Sequence, residues 1–298
     1  MSPAPPQLRG CFKDKQQPRL IEKAHKVVSM MASLTKPQLK ATLSVSDSLA
    51  SLNYERYKNY MDQESSPCIM AFDGQAFKGL AARGLRASEM GVCEQSLRVL
   101  SGVYGLLRPG DHVRPYRLEM GTKMGDVFKK DPSTKKMSTL YDWWGADVAQ
   151  LINADLDAQI LARKKEGDVV PRVVVNCASA EYWKSVNKDV LTEKKTDIVN
   201  IVFKGATVHV KEARGAFAKY MIVNDITERD DLKGFTGNND EWHFNASASD
   251  ENNLHFTRDG SGSAKPAAKK SKPAAPKKRQ ASVEAGDTGT RRTKRGRS

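Results

Sequence analysis

The sequence is short of several things, and each shortage removes a class of protein. It holds four cysteines, Cys11, Cys68, Cys93 and Cys177, and no two of them form a Cys-x-x-Cys pair. That removes the zinc ribbon and the thioredoxin-like motif. Four scattered thiols in 298 residues fit a reduced, intracellular setting. The five histidines, His25, His112, His209, His243 and His255, show no paired-ligand spacing, so no metal is expected. There is no P-loop and no Gly-x-Ser-x-Gly elbow, and nothing in the chain asks for a cofactor. No apolar run approaches the ~18 residues of a membrane span, and the first 20 residues hold no apolar core of a secretory signal. A cytoplasmic or nuclear monomer with no membrane partner is the expectation.

The shortage of apolar residues is local. The whole chain is 39% hydrophobic, but residues 259–298 contain no Leu, Ile, Phe, Tyr, Trp or Met. From Ser261 onward stand twelve basic residues against Glu284 and Asp287, so this segment carries +10 of the chain's +14. Such a segment cannot bury enough apolar surface to offset its ordering entropy. The reading is one folded domain over 1–258, irregular through residue 17, then a disordered basic tail over 259–298. With +4 left for the folded part, basicity says little about that part's partners.

Helices and strands interleave along the domain. Leu20, Ala24, Val27, Val28 and Met31 share one helical face. Thr35-Lys36-Pro37 restarts the chain as a helix through Leu39 and Leu43. Another helix is expected from Ser46 to Tyr60, with Leu49, Leu52 and Tyr57 inward. Cys68 to Phe72 reads as a buried strand, Ala87 to Gln95 as a helix, and Leu97 to Leu100 as a strand. Thr139 to Arg163 is the longest helical pattern. Arg172 to Cys177 is a strand, and Asp197 to Lys211 reads as a hairpin turning at Lys204-Gly205. Glu212 to Asn224 is a helix, and Trp242, Phe244, Leu254 and Phe256 belong to short closing strands. The pattern predicts an α/β fold: one mixed α+β domain around a mixed central sheet.

Three clusters carry groups capable of chemistry. Leu97 to Gly121 combines Gly102 and Gly105 with Arg108, Arg114, Tyr116, Arg117 and Glu119. Glycines let a backbone approach phosphate, and arginines grip phosphate with a planar fork of donors. The same residues equally describe a structural turn with solvated arginines, and Glu119 beside Arg117 reads as an ion-pair partner. The second cluster follows a strand end: Asn176, Cys177, Ser179, Glu181, Tyr182 and Lys184. Ligands of α/β sheets bind beyond carboxyl strand ends, while Ser179 also reads as an ordinary helix cap. Cys177, after an apolar strand, is expected to be a buried, inert thiol. The third cluster, Lys211, Arg214 and Lys219, lies on one predicted helix, where Lys211 and Arg214 share a face.

In this order the clusters resemble the YaaA peroxide-stress protein family, over residues 19–256. The most specific part is Leu100-Ser101-Gly102-Val103-Tyr104-Gly105-Leu106-Leu107-Arg108-Pro109 with Pro115-Tyr116-Arg117-Leu118-Glu119-Met120-Gly121. Supporting matches are Phe77-Lys78-Gly79-Leu80, Leu140 to Gly145, Ala178 to Val186 and Ala213-Arg214-Gly215. The resemblance implies a single mixed α/β fold with a positively charged cleft, a helix-hairpin-helix-like element, double-stranded DNA binding and a role in surviving hydrogen peroxide. The helix-hairpin-helix element falls either between Leu39 and Tyr60 or at the Gly102–Gly105 turn. Two departures stand out. The family opens with an apolar strand leading into Ser-Pro-Ala-Lys, where this sequence reads Met1-Ser2-Pro3-Ala4-Pro5. Where members have Gly-Asp before an aromatic residue, it reads Gly74-Gln75-Ala76-Phe77.

Two functions follow as expectations. The first is a non-enzymatic, peroxide-response protein that binds duplex DNA by phosphate contacts from Gly102, Gly105, Arg108, Arg114, Arg117, Lys184, Lys211 and Arg214. The second is an enzyme acting on a small phosphorylated or nucleotide-like substrate with Asn176, Ser179, Glu181, Tyr182 and Glu119. In the tail, Lys277, Lys278 and Arg279 and then Arg291, Arg292, Lys294 and Arg295 have the spacing of a bipartite nuclear signal, which adds an import receptor as an expected partner.

Overall fold

The computed structural model describes residues 5–8, 10–12, 15–164 and 171–259. The chain enters through a single 3-10 turn at Pro6–Leu8 whose Leu8 is buried. Helix α1 (Ile21–Ala32) buries Ala24, Val27, Val28 and Met31, the face its spacing predicts. Thr35 caps α2 (Lys36–Leu43) with a capping box: its hydroxyl accepts the Gln38 N–H, and the Gln38 side chain accepts the Thr35 N–H. Ser44 takes a left-handed φ of 52°. The chain reverses there, and Ser46 caps α3 (Asp47–Lys58). The two helices pack together as a helical hairpin. Tyr57 faces inward as expected. Leu49 and Leu52 do not, being 39% and 45% exposed, because the buried stripe of α3 runs through Ala50, Asn53 and Tyr57.

After β1 (Ser66–Pro67) the expected strand at Cys68–Phe72 is instead one helical turn, α4 (Cys68–Ala71). Cys68, Ile69 and Met70 are all buried, and a short run buried all round carries no periodicity to separate helix from strand. There follow α5 (Gln75–Leu80), α6 (Ala87–Ser96), the antiparallel pair β2 (Val99–Ser101) and β3 (Gly105–Leu107), β4 (His112–Val113), which pairs with β1, and α7 (Gly125–Phe128). The long helix expected from Thr139 is two helices, α8 (Leu140–Trp144) and α9 (Asp147–Lys164). Gly145 divides them with φ 52° and ψ −118°, a conformation no L-residue takes easily. On the side that the spacing predicts to be inward, Leu140, Trp144, Val148, Ile152 and Leu156 are buried and Leu151 is half-buried.

The second half builds the main sheet. Its elements are β5 (Val173–Asn176), α10 (Ala180–Trp183), α11 (Lys188–Thr192), β6 (Asp197–Lys204), α12 (Thr207–Val223), β7 (Trp242–Phe244) and β8 (Asn253–Arg258). The strand order is β5-β6-β8-β7. The first two pairings are parallel and the last is antiparallel, so the sheet is mixed, as predicted. The expected hairpin over Asp197–Lys211 does not form. Both edges of β6 are taken, by β5 and β8, and Thr207–Val210 instead begins α12.

Helix α12 covers one face of the sheet. Val199, Ile201 and Phe203 of β6, Trp242, Leu254 and Phe256 pack with Ala213, Ala216, Phe217 and Phe235. A second, larger core joins α1 to α3, the β2–β3 hairpin and α8–α9 around fully buried Trp144. The basic tail and its import-signal residues lie outside the described residues.

Candidate functional site

The Gly102–Gly105 turn is buried. A Cβ on Gly102 would stand 2.4 Å from the Leu118 carbonyl oxygen. One on Gly105, whose φ is +71°, would stand 2.9 Å from the Trp144 ring. The Trp144 indole N–H donates to the Gly102 carbonyl at 3.2 Å. These glycines serve close packing, and their turn joins two strands. The stretch between Leu39 and Tyr60, by contrast, runs through the paired helices α2 and α3.

The arginines of this segment divide. Arg108 donates through Nε and Nη2 to Oδ1 of fully buried Asp111, at 3.1 and 2.8 Å, and its own N–H donates to Asp111 Oδ2 at 2.8 Å. Arg114 reaches the carbonyls of Gln63 and Met61, at 3.2 and 3.3 Å, and lies over the Tyr60 ring. Arg108 is closed on a carboxylate inside the fold, whereas Arg114 meets carbonyls and a ring and has no carboxylate within 4 Å among the described residues. Arg117 is exposed and donates to Glu119 at 2.9 Å.

The strand-end cluster comes to this loop. Ser179 caps α10, its Oγ accepting the Tyr182 N–H at 3.4 Å. Glu181 Oε1 accepts the Gly121 N–H at 2.9 Å, and a Cβ on Gly121 would be 3.0 Å from that oxygen. The Glu181 carbonyl accepts the Tyr141 hydroxyl at 3.0 Å, and Lys184 Nζ sits 4.7 Å from the Tyr141 ring centre. Burial, then the nearby Glu181 and Glu119 carboxylates, push the Tyr182 hydroxyl up to about 12. Asn176, buried at the end of β5, accepts the Ala178 N–H at 3.0 Å.

Arg214 completes the site from α12. Its Nη1 donates to the carbonyls of Cys177, at 3.4 Å, and Ala178. It is half-buried, and burial pushes its guanidinium below the ordinary arginine range. Arg19, Arg86, Arg98, Arg108, Arg117 and Arg172 each have a carboxylate within 4 Å. Among the described residues Arg214 has none. Two glycines, Gly79 and Gly215, bring it there. A Cβ on Gly79 would stand 2.0 Å from the Glu212 carbonyl oxygen, and one on Gly215 would stand 1.6 Å from that of Ala76. Their absence lets α5 and α12 close to backbone contact beside Arg214. Gln75, at the departure from the family pattern, is the first residue of α5.

The contacts close a ring. Tyr116 meets Phe72 edge-on at 6.1 Å, Phe72 meets Phe77 of α5 at 5.0 Å, α5 meets α12, Arg214 meets the strand end, and Glu181 returns to Gly121. Lys211 is exposed one helical turn before Arg214. Burial raises the Cys177 thiol to about 12, against Arg214, which keeps it protonated and unreactive at neutral pH. Among the described residues no group of three His, Cys, Asp or Glu is placed to hold a metal ion, and no described helix is long and apolar enough to cross a membrane.

Fold and site together define a class: a mixed α/β protein in which a parallel strand end, a short capped helix and an arginine-bearing loop meet beside a guanidinium that has no carboxylate partner among the described residues. The family model described as peroxide stress protein YaaA matches residues 1–248. A UPF0246 protein of Burkholderia mallei (strain SAVP1) is 36% identical over 255 residues, which cover 81% of this chain and 90% of the relative. A UPF0246 protein of Burkholderia pseudomallei (strain K96243) matches to the same extent. One of Paraburkholderia phytofirmans is 34% identical over 253 residues, covering 81% and 89%. The chain belongs to the YaaA peroxide-stress family, as its motifs implied, and that membership is consistent with a role in oxidative stress.

Proposed function

We propose that this protein acts in the cellular response to hydrogen peroxide by binding duplex DNA through phosphate contacts made from its folded domain. The observation that supports this reading is Arg214, a half-buried guanidinium aimed by two carbonyls and balanced by no carboxylate among the described residues. Arg117, Lys184 and Lys211 stand exposed around the same ring and supply further phosphate contacts. The α2–α3 hairpin, with Lys36, Lys40 and Lys58 exposed, is the helix-hairpin-helix-like element of this reading. Gly102, Gly105, Arg108 and Arg114 support it only from inside the fold. The basic tail adds sequence-independent affinity, and its two clusters address a nuclear import receptor. The protein works as a monomer in the cytoplasm or nucleus.

The test is a salt series of duplex titrations with the full chain, with residues 1–262, which form one compact unit, and with the shorter chain carrying Arg214→Ala. Log affinity is expected to fall linearly with log salt, by ~0.9 per phosphate contacted. The shorter chain keeps a slope of several contacts, and Arg214→Ala removes about one. Absence of binding by residues 1–262 at low salt overturns the reading.

A second reading has its own support. The Glu119 and Glu181 carboxylates lie near the Tyr182 hydroxyl and, after burial, raise its pKa, in the short helix that Ser179 caps after the end of β5. That set suits proton transfer on a small phosphorylated or nucleotide-like substrate. Incubation with nucleoside phosphates, followed by mass spectrometry, decides it: turnover lost in Tyr182→Phe supports an enzyme, and no product from any of them removes it.

A further inference from the structure

Arg214 is aimed by the carbonyls of Cys177 and Ala178, and that turn is itself tied to a line of amides crossing the sheet. Asn176 of β5, Asn200 of β6 and Asn253 of β8 are register partners on neighbouring parallel strands. Their side chains join head to tail. The Ala178 N–H donates to Asn176 Oδ1 at 3.0 Å, and Asn176 Nδ2 donates to Asn200 Oδ1 at 3.0 Å. Asn200 Nδ2 donates to Asn253 Oδ1 at 3.1 Å and to the Asn252 carbonyl at 3.3 Å. Asn253 Nδ2 donates to both carboxylate oxygens of Asp250, each at 3.0 Å. Asp250 also accepts the N–H groups of Asn252 and Asn253, each at 2.8 Å. Those bonds, led by the Asn253 side chain, hold the Asp250 carboxyl below its usual range.

The line therefore starts at the peptide next to Arg214 and ends on a carboxylate held below its usual range. A carboxylate only accepts, so Asn253 must turn its NH₂ toward Asp250, which sets Asn200 and then Asn176 in the same sense. Reversing any one amide would face acceptor to acceptor. Charge-assisted bonds are the strong ones, and bonds in series reinforce each other. The cost is plain in the sequence. Asn200 interrupts the apolar run Ile198-Val199-Asn200-Ile201-Val202, where valine would suit the strand better. The line starts at the carboxyl end of β5, where a parallel sheet presents its ligands, crosses the middle of β6 and ends at the first residue of β8.

We propose that Asp250, Asn253 and Asn200 are positioning residues for the anion site: without touching the ligand, they hold the Cys177–Ala178 turn and so aim the Arg214 guanidinium. This rests on the reading of Arg214 as an anion contact. An arginine paired with a carboxylate is aimed by its partner and neutralised by it. One aimed by carbonyls keeps its charge for the ligand, so its direction depends on whatever fixes those carbonyls.

The experiment uses the full chain with Asn200→Val, Asp250→Asn, Arg214→Ala and the Asn200→Val/Arg214→Ala pair. Two quantities are read: duplex affinity at low salt, and the Arg214 Nε–H and Ala178 amide signals in ¹⁵N nuclear magnetic resonance. Inorganic phosphate is titrated as the minimal probe. Asn200→Val and the exposed turn variant Asp250→Asn are expected to shift both signals and to weaken duplex and phosphate binding about 3- to 10-fold. Asn200→Val should weaken binding no further in the Arg214→Ala background. If both variants bind like wild type while Arg214→Ala is weakened, the line is structural only and the proposal fails by itself. If Arg214→Ala binds like wild type, the anion reading fails and takes the proposal with it.

Discussion

The Gly102–Gly105 turn and the Cys177–Ser179 turn are built from similar materials, each following a strand and each having an arginine in reach. Around the first, every group is turned inward. Trp144 and Leu118 close over its glycines, and Arg108, just beyond it, is closed on buried Asp111. Around the second, the arginine donates to carbonyls and has no carboxylate within 4 Å among the described residues. The difference teaches that an arginine's availability is decided by what faces it. A buried carboxylate consumes the charge, whereas a carbonyl only directs it.

The comparison breaks or sharpens at four substitutions. Asp111→Ala leaves Arg108 without its buried partner and is expected to cost about 3–5 kcal/mol of stability. Urea unfolding measures this, and duplex affinity per folded molecule should stay at the wild-type value. Gly102→Ala pushes a methyl group against the Leu118 carbonyl and should cost about 1–3 kcal/mol, again without touching affinity. A drop in affinity in either folded variant would mean that the first turn is not purely scaffold.

Arg214→Ala should reverse the pattern. Its melting midpoint is expected to stay close to wild type, while duplex binding weakens about tenfold, in line with the loss of one charged hydrogen bond. A collapse of the melting midpoint would put Arg214 in the same class as Arg108. The smallest effect belongs to Arg117→Ala. Its pair with Glu119 is exposed at both ends, so stability should change by about 0–1 kcal/mol, with a modest loss of affinity and an unchanged circular dichroism spectrum. An unfolded variant would make Arg117 structural, as the partner of Glu119.

Legibility in the sequence followed burial pattern. α1 and β8 read clearly because each has one wet face and one dry face, so their periodicity is written in residue type. α4 was misread as a strand because all but one of its residues are buried. The Thr207–Val210 segment was misread because its residues suit a strand, and nothing local reveals that β6 has no free edge. The three site clusters were visible as clusters, and their joining through Glu181 and Gly121 was not. Asn200 left the one signal of the amide line, a polar residue inside an apolar run, but its partners are 24 and 53 residues away.

By itself the sequence determined the α/β class, the mixed sheet, the family and the concentration of charge in the tail. These depend on composition, local periodicity and short motifs, all of which are properties of neighbours along the chain. Only the tertiary structure decided which arginines are spent and which is available. Asp111 fell to Arg108 and, among the described residues, no carboxylate fell to Arg214, because charge compensation is a property of distance in space. Such distances rest on packing of the kind that lets α5 close on α12 at Gly79 and Gly215, beside Arg214.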